Sequence, residues 1–304
     1  MEVIFNNHAS VTIKTNDLNI LTDPWFNGSA FNDGWNLIFE NFENEEYFLK
    51  DINYIWISHE HPDHFQPKFF INNKKFIIEN NIKILFQKTK DKRVANFLKK
   101  LNLDVIEIDD NKEINLSEET KCIIFKAEFY DSSLAIKSNN KTLLNLNDCQ
   151  YNINELNKIK KKCGSIDLLL TQFSYAAWKG GKENKRWRIE SANKKLLSFE
   201  TQCKTLNAKC VIPIASFIYF SHKDNFYMND SINDIKKVSS FLEQKKINFK
   251  ILKPNEKFNL ISSDFNNHES KLFWEKQYEN LINKELNEYK ETYQIEQLNE
   301  EFQK

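Results

Sequence analysis

The 304-residue sequence has few cysteines and no long apolar stretch. Its five cysteines are odd in number and form no C-x-x-C pair, which argues against a disulfide framework, a zinc ribbon or an iron–sulfur cluster. We therefore expect reduced, buried thiols. No window holds the roughly 18 uninterrupted apolar residues of a membrane span, and the N-terminus has no basic region followed by an apolar one. These absences predict a cytoplasmic protein that does not bind membranes.

Neither sign of charge is in excess, since 43 Lys and Arg residues offset 43 Asp and Glu residues. Without a field over the whole protein that attracts polyanions, nucleic acid is not an expected partner. Hydrophobic residues make up 40% and aromatic residues 13% of the chain, which is enough for a globular core. A charged ligand must therefore be bound by a local group of side chains.

Short β-rich runs alternate with helical patterns. The runs predict strands over residues 2–4, 10–13, 19–21, 54–58, 83–86, 105–108, 122–126, 142–146, 168–171 and 211–215. Apolar periodicity predicts helices over residues 91–101, 189–206 and 232–245. Together these patterns predict a layered α/β domain in which helices cover a mixed sheet system.

A domain boundary is predicted near Asn266. It separates residues 1–265, the catalytic domain, from residues 266–304, a C-terminal helical extension. Four residues then recur with helical spacing in an otherwise charged stretch: Ile282, Leu286, Tyr289 and Tyr293. We interpret the extension as a packing element or as a subunit contact in a homo-oligomer, and not as part of the catalytic site.

The most specific feature is the run His59-Glu60-His61-Pro62-Asp63-His64, directly after the apolar residues 54–58. A strand end projects successive side chains into one crevice, so four of these side chains are expected to converge. Imidazole and carboxylate groups bind zinc or iron, and four of them can start two adjacent metal sites. With only 6 histidines in the chain, chance produces this pattern on the order of once in 10⁴ sequences, which disfavours a polar surface loop.

This run resembles the metallo-β-lactamase superfamily, together with His8-Ala9-Ser10, Asp23-Pro24-Trp25, Asp148 and His222. The similarity is closer to the metallo-β-lactamase-like domain of the CMP-N-acetylneuraminate hydroxylase family. Its further matches keep their order over residues 1–264: Gly34-Trp35, Leu144-Asn145, Asp148-Cys149, Gly180-Gly181-Lys182 and Ser221-His222. The resemblance implies a metallo-β-lactamase αββα sandwich, here followed by the C-terminal helical extension.

The resemblance also implies a dinuclear metal site. His59 and His61 would bind the first ion. Asp63 and His64 would bind the second, which His222 would complete, and Asp148 would bridge the two ions. Asp63 and Asp148 are also the candidate catalytic residues. A cation beside Asp148 would offset the burial of a carboxylate at the end of an apolar strand; the alternatives are an ordinary turn for Asp148 and a solvated loop for His222.

Two residues near the N-terminus are candidates for supporting the site without binding metal. Asp23 is similar to the family's buried acid that holds the histidine loop, although Asp23 could also be a simple turn residue before Pro24. His8 could lie near the site through the first strands, or it could have a purely structural, hydrogen-bonded role.

One ligand of the superfamily is missing. A histidine is usual between the histidine-rich run and the bridging Asp, yet no histidine lies between His64 and His222. Glu128, after the predicted strand 122–126, is the best substitute, and Asp131 is the second. A carboxylate here resembles the diiron hydroxylase branch, and harder oxygen ligands favour iron over zinc. The alternative is a solvated Glu128 at a strand end.

Arginine is scarce, yet Arg186 and Arg188 flank Trp187 in a basic segment that also contains Lys182. Two guanidinium groups could clamp a phosphate or carboxylate while the indole stacks on a base or sugar. These four residues are therefore candidate substrate-binding residues. The alternative is a solvated loop that leads into the helix from Ile189.

Two kinds of enzyme fit these features. The first is a diiron oxygenase that uses dioxygen as cosubstrate on a small soluble anion. It would need a separate electron donor, because the chain has no Rieske C-x-H and C-x-x-H pair. The second is a zinc hydrolase in which Asp63 orients a water that attacks a phosphoester, lactone or amide. A third hypothesis is a nucleic-acid-processing protein of the same fold or a non-catalytic binder, and the neutral charge speaks against a long nucleic-acid groove.

Overall fold

The computed structural model describes residues 1–262 and 265–289. Its strands are β1 (Glu2–Asn7), β2 (Ser10–Lys14), β3 (Asn19–Thr22), β4 (Trp35–Leu37), β5 (Tyr54–Ile57), β6 (Lys83–Gln87), β7 (Val105–Ile108), β8 (Glu113–Asn115), β9 (Thr120–Lys126), β10 (Ser132–Ser138), β11 (Lys141–Asn147), β12 (Leu168–Gln172), β13 (Cys210–Ile214), β14 (Ile218–Phe220) and β15 (Lys257–Asn259). Its α-helices are α1 (Glu45–Leu49), α2 (Pro67–Glu79), α3 (Arg93–Lys100), α4 (Ile153–Cys163), α5 (Lys185–Leu206), α6 (Ile235–Gln244) and α7 (His268–Glu279). Each strand and helix predicted before residue 265 is present.

Two large sheets form the centre of the fold. One has seven strands in the order β15-β1-β2-β3-β5-β6-β7, and the other has six in the order β13-β12-β11-β10-β9-β8. Their facing side chains share one apolar core, in which Val3, Phe5 and Trp56 of the first sheet meet Ile124 and Leu144 of the second. Burying these side chains supplies the main driving force for folding.

Helices cover the outer face of each sheet. Ile55 and Ile57 point away from the shared core because side chains alternate along a strand, and they pack with Phe70 of α2 and Leu98 of α3. On the second sheet, α4 and α5 contribute residues such as Leu156 and Phe199 to the apolar core. The layers are therefore helix, sheet, sheet and helix, which confirms the predicted αββα fold.

Strand direction brings distant parts of the chain to one edge. In the first sheet β1 is antiparallel to β2, β2 is antiparallel to β3, and β3 is parallel to β5, so β1, β3 and β5 point the same way. In the second sheet β9, β11 and β12 likewise point the same way. The residues that follow these strands meet at a common edge of the sandwich.

The C-terminal part differs from the expectation. The predicted helical face that includes Ile282, Leu286 and Tyr289 does not form, because α7 ends at Glu279 and a short 3-10 turn over residues 280–283 follows. Ile282 is exposed there. Trp274 of α7 is fully buried in the main core, so this segment packs as part of the domain. The remaining member of the predicted face, Tyr293, lies outside the described residues.

The structure bears on the predictions about cysteines and about membrane-spanning helices. All five cysteines are buried and unpaired, as expected. Among the described residues, no helix combines the length and the apolar character needed to cross a bilayer.

Candidate metal centre

Most of the predicted site residues lie just beyond the carboxyl end of a strand. His8 follows β1, Asp23 follows β3, the run from His59 to His64 follows β5, and Asp148 follows β11. Asp131 lies between β9 and β10 at the same edge. Because these strand ends meet, residues up to 140 positions apart in sequence form one cluster.

Asp23 fixes the orientation of two histidines. Its carboxylate accepts hydrogen bonds from the Ser58 backbone N–H (2.7 Å) and from Ser58 Oγ (2.7 Å), and it lies 3.0 Å from His64 Nδ1. Ser58 Oγ in turn lies 2.9 Å from His59 Nδ1. With Nδ1–H donating in both rings, each Nε2 keeps its lone pair for a metal ion. Asn147 adds a further hydrogen bond to Asp23.

The donor atoms fall into three overlapping groups. Within each group, one ligand atom per residue lies within 4.8 Å of the others: His59, His61 and Asp131; His59, His64 and Asp148; and His8, Asp63 and His64. His59 Nε2 is 2.8 Å from His61 Nδ1, and His64 Nε2 is 3.2 Å from Asp63 Oδ2. The four side chains of the histidine-rich run therefore converge, although His61 itself remains exposed.

Asp148 lies between the two histidines that would bind different ions. Its Oδ2 is 3.7 Å from His59 Nε2 and 3.6 Å from His64 Nε2. A carboxylate in this position could bridge two ions held by the two histidines. The backbone places it there because Asn147, held by Asp23, adopts a left-handed conformation directly before it.

Asp131, and not Glu128, lies at the cluster. Glu128 is exposed and belongs to none of the groups, whereas Asp131 Oδ1 is 3.8 Å from His59 Nε2. The reason is the turn after β9. Phe129 and Tyr130 both adopt positive φ, and this reversal leaves Glu128 in solvent and brings Asp131 inward. Asp131, the second choice in the sequence analysis, therefore replaces Glu128 as the candidate for the missing ligand.

His8 joins the cluster, and His222 does not. His8 Nε2 is 3.3 Å from Asp63 Oδ2, and His8 groups with Asp63 and His64. His222 belongs to none of the three groups; its Nδ1 accepts a hydrogen bond from the Asp224 backbone N–H (3.2 Å), and its buried Nε2 has no hydrogen-bond partner among the described residues. His8, expected only to support the site, thus lies among the grouped donor atoms, and the expected role of His222 as a metal ligand stays a prediction.

The cluster has the properties of a cation site. Several buried atoms have no hydrogen-bond partner among the described residues: Asp63 Oδ1, Asp131 Oδ1, Asp148 Oδ1 and His64 Nε2. Buried carboxylate oxygens and imidazole nitrogens in this state are costly unless a cation satisfies them. The residues present therefore fit two metal ions bound by nitrogen and oxygen.

The electrostatics of the cluster agree with this assignment. Burial, reinforced by the negative charge of Asp148, raises the pKa of Asp131 to about 7. Burial lowers the pKa of His59 to about 4. Burial also disfavours the charged form of His64, but Asp63 and Asp148 outweigh it and raise its pKa well above the usual value. The histidines lower the pKa values of Asp63 and Asp148 despite their burial, so Asp131 is the carboxylate of the cluster whose charge is least balanced.

A cavity of about 720 Å³ opens onto the cluster. On one side it is lined by His61, Asp63 and Asp148. The lining also includes three lysines, Lys179, Lys194 and Lys195, and four aromatic residues, Phe31, Trp35, Tyr175 and Trp178. The size and the mixed lining are typical of small-molecule sites.

The predicted substrate-binding residues lie elsewhere. Arg188 is fully buried, and its donors bind Asp230 (2.8 and 2.9 Å) and the carbonyl groups of Gly181 (2.6 Å) and Lys182 (3.0 Å). Arg186 is 93% exposed and pairs with Glu190. Because the buried Arg188 guanidinium already binds Asp230 and two backbone carbonyl groups, and neither arginine lines the cavity, the predicted clamp does not form.

The other two members of the predicted clamp also lie outside the cavity. Lys182 is exposed, and Trp187 is half-exposed with its ring edge-on to Trp178. The sequence reasoning missed the lysines of the cavity wall. A signal for them exists, since Ser191, Lys194, Lys195 and Ser198 form a polar stripe at helical spacing on α5.

The layered fold and its donor set define a metal-binding protein of the metallo-β-lactamase fold. The family described as the Beta-lactamase superfamily domain matches residues 2–215, and the chain belongs to this family.

Two comparisons extend the assignment. The cytidine monophosphate-N-acetylneuraminic acid hydroxylase of Danio rerio is 24% identical over 241 residues, which cover 74% of this chain and 39% of the relative. The homologous enzyme of Xenopus laevis is 25% identical over 251 residues, or 76% of this chain and 40% of the relative. The resemblance found in the sequence is confirmed. The chain spans about two-fifths of the length of these curated relatives.

Solved structures share the fold and differ in chemistry. Isothiocyanate hydrolase from Delia radicum gut bacteria has a TM-score of 0.62 at 12% identity, over 85% of this chain and 99% of that chain. This likeness shows the fold alone. Diiron and metallo-hydrolase proteins both occur among such neighbours, so the fold does not decide between them.

Proposed function

We propose that the chain is a dinuclear-metal oxygenase that hydroxylates a small organic anion, with iron favoured over zinc and dioxygen as cosubstrate. The observation that carries this proposal is Asp131, a carboxylate beside His59 where the superfamily usually has a histidine. Hard anionic oxygen ligands favour iron and help to stabilise its oxidised state. The sequence similarity to curated hydroxylases supports the same conclusion.

The ligand set assigns a place to each ion. One ion would be held by His59, His61 and Asp131. The other would be held by His8, Asp63 and His64, with Asp148 between the two. When bound and reduced, the iron pair supplies the capacity to activate dioxygen.

The chain itself binds and orients the substrate. The lysines of the cavity wall would attract its anionic group, and the aromatic lining would exclude water from the reacting carbon. Inserting one oxygen atom into a C–H bond and releasing the other as water consumes two electrons and two protons. The sequence has no Rieske C-x-H and C-x-x-H pair, so a separate donor would supply the electrons.

A metallo-hydrolase of the same fold is the second candidate, and one observation favours it. Asp63 Oδ1 is buried at the cavity and has no hydrogen-bond partner among the described residues. A carboxylate in this state could orient a water whose pKa a zinc ion has lowered, as attack on a phosphoester, lactone or amide requires.

A matched pair of variants tests the oxygenase proposal. Asp131→His should shift the bound metal from iron towards zinc, because it replaces an anionic oxygen with a neutral nitrogen. Dioxygen uptake by the chemically reduced protein should fall in parallel. Glu128→His, at the exposed position three residues earlier, should change neither quantity. Equal metal preference and equal dioxygen uptake in all three proteins would contradict the role of Asp131.

A further inference from the structure

Helix α5 presents a polar stripe to the cavity beside the metal centre. Lys194 and Lys195 belong to this stripe, while Ala192, Leu196 and Phe199 on other sides of the helix are buried in apolar clusters. The packing of these apolar side chains fixes the rotation of α5 about its axis. Lys195 is therefore held towards the cavity by a rigid element and not by a flexible loop.

Lys195 has no partner of its own in this position. It is half-buried, and among the described residues it makes neither an ion pair nor a hydrogen bond. It lines the same cavity as Asp63 and Asp148, and its charge favours the ionised form of Asp148. Lys179, on the same cavity wall, is close enough to oppose the charge of Lys195.

The charges in the cavity do not balance once the site is filled. Asp63, Asp131 and Asp148 carry fewer negative charges than two divalent ions carry positive ones. Lys179 and Lys195 then add further positive charge to a partly enclosed space, where like charges repel strongly. An anion between the lysines and the metal centre would remove this repulsion.

We propose that Lys195 binds the anionic group, carboxylate or phosphate, of a ring-bearing organic substrate and positions that substrate over the metal centre. This inference rests on the proposed function, because it assumes that the cluster holds metal. The ring follows from the rest of the lining, where Phe31, Trp35, Tyr175 and Trp178 offer aromatic faces. Flat rings and sugars stack on such faces.

Calorimetric titration of the zinc-loaded protein tests the proposal without any turnover. The probes are phenylacetate and phenyl phosphate, with acetate and inorganic phosphate as their ring-free counterparts. Lys195→Met should weaken the binding of one or both ring-bearing probes about tenfold or more, since a charge-assisted hydrogen bond is lost. Lys195→Arg, which keeps the charge, should restore most of the affinity.

Two further variants make the result specific. Lys185→Met removes an exposed lysine from the first turn of the same helix and should bind every probe as the wild type does. Trp178→Ala should reduce the advantage of phenyl phosphate over inorganic phosphate. Zinc content measured for each variant verifies that the metal centre is intact. Loss of affinity for phenyl phosphate alone would identify a phosphoester, and loss for phenylacetate alone would identify a carboxylic acid.

Two outcomes would overturn the proposal: unchanged affinities in Lys195→Met at full zinc content, or no binding of any probe to the wild type. The titration requires neither iron nor dioxygen. Binding that depends on Lys195, in a protein that takes up no dioxygen, would overturn only the oxygenase proposal. Dioxygen uptake without binding that depends on Lys195 would overturn only this inference.

Discussion

Asp23 shows how one buried residue can organise a metal centre that it does not bind. Its carboxylate orients His64 directly and His59 through Ser58, and it also holds Asn147 next to Asp148. Substituting a residue in this position usually lowers metal affinity, because the residue sets the tautomer and the direction of the ligands. The histidine-rich run thus depends for its orientation on Asp23, which lies directly after strand β3.

At the same scale, the donor groups, which include His8 and not His222, give a prediction about metal content. His8→Ala should lower the metal content from two ions per chain towards one, because it removes a donor from the group with Asp63 and His64. His222→Ala should leave two ions, since His222 belongs to none of the donor groups among the described residues. Elemental analysis of both variants measures the number of ions per chain. Loss of an ion only in His222→Ala would instead support His222 as a metal ligand.

The sequence predicted those site residues that are adjacent to one another or that carry a specific motif. The histidine-rich run is local, so a strand followed by six residues was enough to predict its convergence. Asp131 required the backbone conformation of Phe129 and Tyr130, two aromatic residues at positive φ that no propensity predicts. For the same reason Glu128, the residue closer to the end of β9, was the wrong choice.

At the scale of elements, Arg188 joins the segment that precedes α5 to the 3-10 helix over residues 226–231. It binds Asp230 on one side and the carbonyl groups of Gly181 and Lys182 on the other, and its guanidinium lies 5.0 Å from the ring centroid of Tyr227. The loop that carries Trp178 and Lys179 to the cavity ends at these contacts. Arg188 therefore shapes the cavity wall without touching a substrate.

The free energy of unfolding of an Arg188 variant tests this role of Arg188. Arg188→Met should lower the free energy of unfolding by about 2–3 kcal/mol, because it leaves two carbonyl groups and a carboxylate without their donor. Arg186→Met, only two residues away but exposed, should leave the unfolding midpoint unchanged. Urea titration of both variants measures the difference, and equal midpoints would show that Arg188 is not an anchor.

Two of the elements that the sequence failed to predict, β10 and α2, share a physical cause. Strand β10 has buried serines in place of apolar residues: Ser132 Oγ donates to the Ser58 carbonyl, and Ser133 bonds Tyr151. In α2 a buried Asn73 interrupts the apolar face, with its amide bonded to the Phe69 carbonyl. Buried polar residues satisfied by tertiary contacts carry no periodic signal.

At the scale of the whole molecule, the C-terminal segment belongs to the core. The ring of Trp274 stacks on Phe217 with centroids 4.1 Å apart, and its Nε1 donates to the Leu252 carbonyl. Further along, Asn287 bonds the backbone and side chain of Ser221, next to His222. The predicted division at residue 266 therefore separates residues that pack together.

A substitution in α7 tests whether the C-terminal segment is part of the main core. Trp274→Ala should destabilise the whole protein by about 3–5 kcal/mol, since it empties a large space in the main core. Ile282→Ala, at an exposed position in the same segment, should have no measurable effect. Thermal unfolding should remain a single transition in both variants. A separate early transition in Trp274→Ala would instead indicate an independent C-terminal unit.

The central claim, a dinuclear centre that favours iron, is tested most directly by metal analysis of the protein isolated without air from cells supplied with both iron and zinc. The seven donor residues of the three overlapping groups predict close to two ions per chain, most of them iron. Two zinc ions per chain would contradict the preference for iron and favour the hydrolase. A chain that retains less than one ion of any metal would contradict the metal centre itself.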